Sequence, residues 1–248
     1  NEAPSLSSNL AASSFAESSS VGTTIATSSV SDPESGSITY SLSGTDASMF
    51  SIASDGTVTI ASLLDYETKS SYNIIVNASD GTNTTSTAMA IPATNVNEAP
   101  SLSSNLSAVN FTESSAVGTT VITSSASDPE SGSITYSLSG TDASMFSIAS
   151  DGTVTIASLL DYETKSSYNI IVNASDGTQS TSTTMAISAT NVNEAPSLSS
   201  NLAASSFAES SSVGTTIATS SVSDPESGSI TYSLSGTDAS MFSIASDG

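Results

Sequence analysis

Residues Tyr72-Asn73-Ile74-Ile75-Val76-Asn77-Ala78 decide how this chain folds. Tyr72, Ile74, Val76 and Ala78 sit two apart, so an extended backbone puts all four on one side. A helix would scatter them around its circumference. The stretch therefore reads as a half-buried β-strand. The same alternation runs outward on both sides, in Ile38-Thr39-Tyr40-Ser41-Leu42, in Val58-Thr59-Ile60 and in Thr87-Ala88-Met89-Ala90-Ile91. Val21 to Ala26 and Phe50-Ser51-Ile52 supply the remaining strands. Turn-forming groups separate these runs: Asp32-Pro33-Glu34-Ser35-Gly36, Ser43-Gly44, Asp55-Gly56 and Asp80-Gly81. No segment has a convincing helical period.

The pattern recurs. NEAPSLSS begins at Asn1, Asn97 and Asn193, a period of 96 residues. The third copy matches the first at all 56 shared positions, and the second differs from the first at 12 of 96. A period this long is one small domain rather than a solenoid unit. The expected domains are 1–96, 97–192 and an incomplete 193–248. About seven short strands per repeat is the count of an immunoglobulin-like sandwich. The fold class is thus all-β: tandem Greek-key β-sandwich repeats, with Phe15, Tyr40, Phe50, Tyr66 and Tyr72 as the aromatic core residues.

Composition narrows the function. Two lysines, Lys69 and Lys165, face 24 acidic residues, for a net charge of −22. Such a chain repels nucleic acid and anionic membrane surfaces and attracts cations. There is no Cys, hence no disulfide and no thiolate metal site. There is no His, so neither a Ser-His-Asp triad nor a His metal ligand can form. No Gly-rich phosphate loop occurs. No apolar run is long enough to span a bilayer, so no membrane insertion is expected in this segment. An enzyme is not expected. Asp65 and Glu67 lack the aromatic platform of a glycosidase pair, and the absence of Trp weighs against a carbohydrate-binding module.

The acids are placed, not scattered. Glu17, Asp32, Glu34, Asp65, Glu67, Asp80 and Glu98 fall at strand ends and in linkers. Hard divalent cations take six to eight oxygens, which several loops meeting at one end of a sandwich can supply. Two carboxylates 4 Å apart repel by roughly 4 kcal/mol at an effective dielectric near 20. A gathered set needs a counter-ion.

Four motifs in order carry a resemblance to the cadherin repeat. These are Phe15-Ala16-Glu17 before Val21-Gly22-Thr23, Leu64-Asp65-Tyr66-Glu67, Val76-Asn77-Ala78-Ser79-Asp80-Gly81, and Asn95-Val96-Asn97-Glu98-Ala99-Pro100. Asp32 and Glu34 stand where that family has D-x-D. The resemblance implies calcium between successive repeats. At the first junction its ligands would be Glu17, Asp65, Glu67, Asn95, the Val96 carbonyl, Asn97, Glu98, Asp128, Glu130 and Asp176. At the second they would be Glu113, Asp161, Glu163, Asn191, Asn193, Glu194, Asp224 and Glu226. Asp32, Glu34 and Asp80 would form half a site at the N-terminal end. The linker departs from the family pattern, with Asn95 and Asn191 for its first Asp, Glu98 and Glu194 for its second, one residue fewer before Ala-Pro, and Tyr66 for an Arg. In these departures it is more similar to bacterial cadherin-like repeats of giant adhesins. The resemblance implies an extracellular, calcium-rigidified stalk whose partners are calcium, neighbouring repeats and possible further copies of itself. A self-associating filament or matrix subunit is the alternative. Without cation, Asn95 to Pro100 is expected to act as a hinge.

Overall fold

The computed structural model describes residues 1–106 and 110–248. Strands β1 to β8 span Ser5–Leu10, Phe15–Ala16, Thr24–Ser31, Thr39–Ser43, Phe50–Ile52, Thr57–Ile60, Ser71–Ser79 and Thr84–Thr94. They form two four-stranded sheets, ordered β1-β3-β6-β5 and β2-β8-β7-β4, and the chain changes sheet after every strand up to β4 and again after β6. No α-helix occurs among the described residues; one 3-10 turn, Ala47–Met49, leads into β5. The described chain divides into two compact units. One comprises Asn1–Ser101 with Ser127–Ile134 and Ser175–Ser180; the other comprises Leu102–Ala126, Thr135–Ala174 and Thr181–Gly248.

The deciding stretch is β7, the inner strand of its sheet. Tyr72, Ile74, Val76 and Ala78 are all buried, as the alternation requires. On β8 they face Ile91, Met89, Thr87 and Thr85 in register. Ile25, Val58, Ile60, Ile74, Val76 and Ile91 are almost fully buried and fill the space between the sheets. Each such side chain contributes about 1.5–3 kcal/mol of transfer free energy. Phe50 meets Tyr72 edge to face, with centroids 6.1 Å apart.

The sandwich has eight strands, one more than the sequence suggests. β1 is paired with β3 from Ser5↔Ser31 to Leu10↔Ala26. It lacks an apolar stripe because its middle inward residue is Ser8, whose hydroxyl pairs with that of buried Ser28 at 2.8 Å. β2 is only two residues long and runs parallel to β8, Phe15 opposite Ala93. β3 begins at Thr24 rather than Val21, because Val21 and Gly22 form a turn that leaves Val21 exposed.

Strands β9 to β16 repeat this plan at Ser101–Leu106, Asn110–Thr112, Thr120–Ser127, Thr135–Ser139, Phe146–Ile148, Thr153–Ile156, Ser167–Ser175 and Ser180–Thr190. Their sheets are ordered β13-β14-β11-β9 and β10-β16-β15-β12. Residues 193–248 carry β17 (Ser197–Leu202) paired with β18 (Ala218–Ser223). Phe207 and Phe242 are exposed there, whereas their counterparts Phe15 and Phe50 are buried against β8 and β7.

One ion pair is shared by design of the loops. Lys69 Nζ meets both Asp46 oxygens at 2.6 Å and lies 5.8 Å from the Tyr72 ring centroid. Asp46 also accepts the Asn73 N–H at 2.6 Å. That backbone donor, and then Lys69, hold its carboxyl below the usual range. Lys165 and Asp142 repeat the arrangement.

Gly56 closes the β5–β6 turn at φ +86, and an added Cβ would lie 2.5 Å from the Ser28 carbonyl oxygen and 3.1 Å from the Tyr40 ring. Gly81 has a similar φ, +93, but open space around it. Gly56→Ala should therefore destabilise the chain by well over about 1 kcal/mol, the scale of backbone strain alone. Gly81→Ala should cost only that strain. Urea unfolding of the two variants side by side measures the difference.

Candidate metal centre

The end of the first sandwich is organised by Glu17. Its N–H donates to the Thr94 carbonyl at 3.1 Å, which fixes it beside the end of β8. The side chain is 4% exposed. One carboxylate oxygen accepts the Tyr66 N–H and the other the Val96 N–H, each at 2.6 Å. Asp65 is held separately: its oxygens accept the Thr68 N–H at 2.7 Å and the Thr68 hydroxyl at 2.8 Å. The Tyr72 hydroxyl accepts the Asp65 N–H at 2.8 Å and donates back to its carbonyl at 3.0 Å. The Leu64-Asp65-Tyr66-Glu67 loop is thus clamped from two sides.

The clamps gather carboxylates. Glu17, Asp65 and Glu67 offer oxygens all within 4.8 Å of one another, and so do Glu67, Glu98 and Glu130, with Glu67 common to both sets. Asn95 Nδ2 donates to Glu67 at 2.6 Å. In the second compact unit, Glu113, Glu163 and Glu194 form a third such set. Glu113 repeats the Glu17 clamp, accepting the Tyr162 N–H at 2.7 Å and the Val192 N–H at 2.6 Å. Asn191 donates to Glu163.

The remaining candidates lie outside these three sets. Asp176 accepts Asn97 Nδ2 at 2.8 Å, the Thr178 N–H at 2.6 Å and the Gln179 N–H at 2.7 Å. Asp161 is occupied by Thr164, as Asp65 is by Thr68. Asp128 and Asp224 each accept the N–H of a nearby glycine, Gly132 at 3.1 Å and Gly228 at 3.2 Å. Asn193 Nδ2 donates to the Glu194 carbonyl at 3.0 Å. Glu226 Oε1 accepts the Glu194 N–H at 2.9 Å. At the N-terminal end Asp80 accepts Asn1 Nδ2 at 2.8 Å, Glu34 accepts the Glu2 N–H at 3.0 Å, and Asp32 accepts the Glu34 N–H at 2.8 Å.

Whether a cation suits these residues is decided by oxygens with no donor. With every carboxylate ionised, Asp32 Oδ2, Asp128 Oδ2, Glu130 Oε2, Glu194 Oε2 and Glu226 Oε2 are shielded from solvent and accept no hydrogen bond. A buried anionic oxygen without a partner is costly. With two lysines in the sequence, both turned to Asp46 and Asp142, the side chains supply no positive charge here. All donor atoms are hard oxygens, the set that calcium prefers.

The electrostatics separate two kinds of acid. Aspartates closing their own turns sit below the usual carboxylate range: Asp65 through the Thr68 N–H, Asp80 through the Asn83 N–H, Asp176 through the Gln179 N–H. Glu113 is likewise lowered, by the Tyr162 and Val192 N–H groups. The gathered glutamates go the other way. Burial raises Glu67, Glu98 and Glu163, and neighbouring carboxylates add to it. Glu194 rises to about 7, first through a hydrogen bond shared with Glu226, then through burial and the charge of Glu113.

Sequence motifs located these acids but not what holds them. The clamps on Glu17 and Glu113 use backbone N–H donors, which leave no side-chain signature. The Asp32-Pro33-Glu34 turn is closed by Ser35 at φ 55, a left-handed conformation in a non-glycine residue.

Fold and site together define a tandem β-sandwich protein with acid-rich ends. A sequence model of the Cadherin domain matches residues 12–92 and again 107–190, and the chain belongs to that family. Cadherin EGF LAG seven-pass G-type receptor 2 of Mus musculus is 36% identical over 169 residues, 64% of this chain and 6% of that protein. Protocadherin Fat 4 of Mus musculus is 33% identical over 184 residues, 69% of this chain and 4% of that protein. The chain therefore spans only a small fraction of the relatives it matches. The crystal structure of mouse Cadherin-23 EC22-24 aligns over 100% of this chain and 86% of its own, with a TM-score of 0.56 and 25% identity. Cadherin domains are extracellular, adhesion-type repeats. Among the described residues, no helix is long and apolar enough to cross a membrane.

The raised glutamates set a pH dependence. Between the ordinary value of 4.5 and about 7, the folded chain keeps a proton on Glu194 that the unfolded chain has lost. Stability without divalent cation should therefore fall as pH rises through that window. In chelator, thermal unfolding should occur at higher temperature near pH 5 than near pH 8, and Glu194→Gln should shrink the difference. An unchanged profile in that variant would contradict the assignment.

Proposed function

We propose that this chain is part of the calcium-rigidified stalk of a bacterial cell-surface adhesin, with repeats 1–96, 97–192 and an incomplete 193–248. The observation that carries it is the pair of carboxylate sets sharing Glu67, beside buried oxygens of Asp128 and Glu130 that lack any donor. Glu17, Asp65, Glu67, Glu98, Asp128, Glu130, Asp176 and the Val96 carbonyl would hold cation at the first junction, with Asn95 and Asn97 contributing amide oxygens after a half-turn of the side chain. Glu113, Asp161, Glu163, Asn191, Asn193, Glu194, Asp224 and Glu226 would do so at the second, and Asp32, Glu34 and Asp80 at the N-terminal end. Calcium supplies positive charge to oxygens that otherwise repel one another. Extracellular modules of this kind bind it at about 10⁻⁴ to 10⁻³ M. The chain's own work is to hold the acids within reach: the clamps on Glu17 and Asp65 fix one group, and the Asp128-Pro129-Glu130 turn fixes the other. No catalytic role is assigned to any residue.

Near-identity of the repeats supports length as the useful property, since a spacer gains from copying. A second reading, lateral association of copies into a filament, is favoured by one observation: the strands carry no charged side chain. Uncharged faces can meet without repulsion despite the net charge.

Small-angle scattering on the chain with calcium and with chelator tests the stalk. Calcium should give a longer, stiffer particle and raise stability by about 1–3 kcal/mol per occupied junction at ten to a hundred times the dissociation constant. Asp128→Ala should weaken the first junction and spare the second. Identical scattering in both conditions would mean that the acids only solubilise. A calcium-dependent rise in mass would favour the filament.

A further inference from the structure

The linker is tied down by hydrogen bonds that need no ion, and their partners change at a single peptide. Before it, the Val96 N–H donates to Glu17 at 2.6 Å and Asn95 Nδ2 to Glu67 at 2.6 Å. Both acceptors belong to repeat 1. After it, Asn97 Nδ2 donates to Asp176 at 2.8 Å, the Asn97 carbonyl accepts Gln179 Nε2, and the Glu98 N–H donates to Glu130 at 3.0 Å. All three of these partners belong to repeat 2. The changeover falls at Val96–Asn97.

The division recurs wherever the sequence does. In the second compact unit the Val192 N–H donates to Glu113 at 2.6 Å, while the Glu194 N–H donates to Glu226 at 2.9 Å. The first residues of the chain repeat the later half of the pattern by themselves. Asn1 Nδ2 donates to Asp80 at 2.8 Å, Asn83 Nδ2 to the Asn1 carbonyl at 3.2 Å, and the Glu2 N–H to Glu34 at 3.0 Å. Asn-Glu at the head of each repeat is thus docked on its own repeat, and Asn-Val at the tail on the repeat it ends.

We propose that, without cation, bending between successive repeats is confined to the backbone torsions of the Val96–Asn97 pair and of its equivalent Val192–Asn193, with Glu17 and Glu113 as positioning residues. The peptide itself is planar, and the bonds hold the planes on either side of the pair, so φ and ψ of Val96 and φ of Asn97 are the torsions left free. This is a narrower hinge than the six residues Asn95 to Pro100 that the linker composition suggests. Charge-assisted bonds from N–H groups to a carboxylate are the strong kind, and burial of Glu17 shelters its pair from water. The proposal rests on the cation reading only for what locks the hinge.

Amide hydrogen exchange of the full chain in chelator tests it. The Val96, Glu98, Val192 and Glu194 amides should exchange about tenfold to a hundredfold more slowly than unstructured peptide. Glu17→Ala should abolish that slowing at Val96 and leave Val192, held by the intact Glu113, unchanged. The Ile74 amide in the same sample reports whether repeat 1 remains folded. If it does not, Glu130→Ala serves instead, with loss confined to Glu98. Val96 and Glu98 exchanging at the unstructured rate in the unaltered chain would overturn the proposal. The cation reading has its own readout: calcium that changes neither exchange nor scattering would sink it and leave the latches standing.

Discussion

Charge is excluded from the strands, and the rest of the structure follows from that exclusion. No described strand contains Asp, Glu or Lys. The inward positions are aliphatic or aromatic apart from a few hydroxyls such as Ser8 and Ser28, and the outward positions are almost all Ser, Thr, Asn or Ala. Every carboxylate is therefore driven into turns and linkers, where the sandwich ends. Two lysines cannot neutralise 24 acids. The ends must hold negative charge together by some other means.

The chain uses two means, sorted by side-chain length. An aspartate is short enough to fold back on its own turn and accept N–H groups two or three residues on. Asp55, Asp65 and Asp80 do so with Thr57, Thr68 and Asn83, and all three are lowered. Their charge is absorbed locally. A glutamate reaches past its own turn into space shared with other segments. Glu67, Glu98, Glu163 and Glu194 meet there, and all are raised. Glu113 is the instructive exception: it is equally long, but two backbone N–H groups take both its oxygens, and it is lowered. The unabsorbed glutamates are the groups for which a cation matters most.

The same distinction explains what could be read from sequence. β7 was legible because Tyr72, Ile74, Val76 and Ala78 obey a local period. The acid motifs were legible because they are also local strings. β1 was not, since Ser8 occupies an inward position that only its hydroxyl bond to Ser28 makes acceptable. The Lys69–Asp46 pair joins residues 23 apart with no shared pattern. The Glu17 clamp joins a side chain to the backbone of Val96, 79 residues away. Short-range periodicity fixes strands and turns; pairings made by backbone groups across the fold appear only when the sheets are assembled.

The differences between the first two repeats bear on where the chain tolerates change. Ile25 and Ala26 become Val121 and Ile122, a net gain of side-chain volume across two adjacent buried positions, and all four are 0% exposed. Val30 becomes Ala126, half-buried in the corresponding strand. None replaces a candidate ligand. One touches a latch: Asn83 becomes Gln179, and the longer amide still reaches the carbonyl of the Asn that opens the repeat, Asn1 in one case and Asn97 in the other. The amide nitrogen keeps its acceptor although a methylene has been added. What that position must supply is a donor to one carbonyl, and side-chain length is free to vary as long as the donor arrives. The carboxylates have no such freedom. They act as a gathered set, and moving one changes the field at all the others.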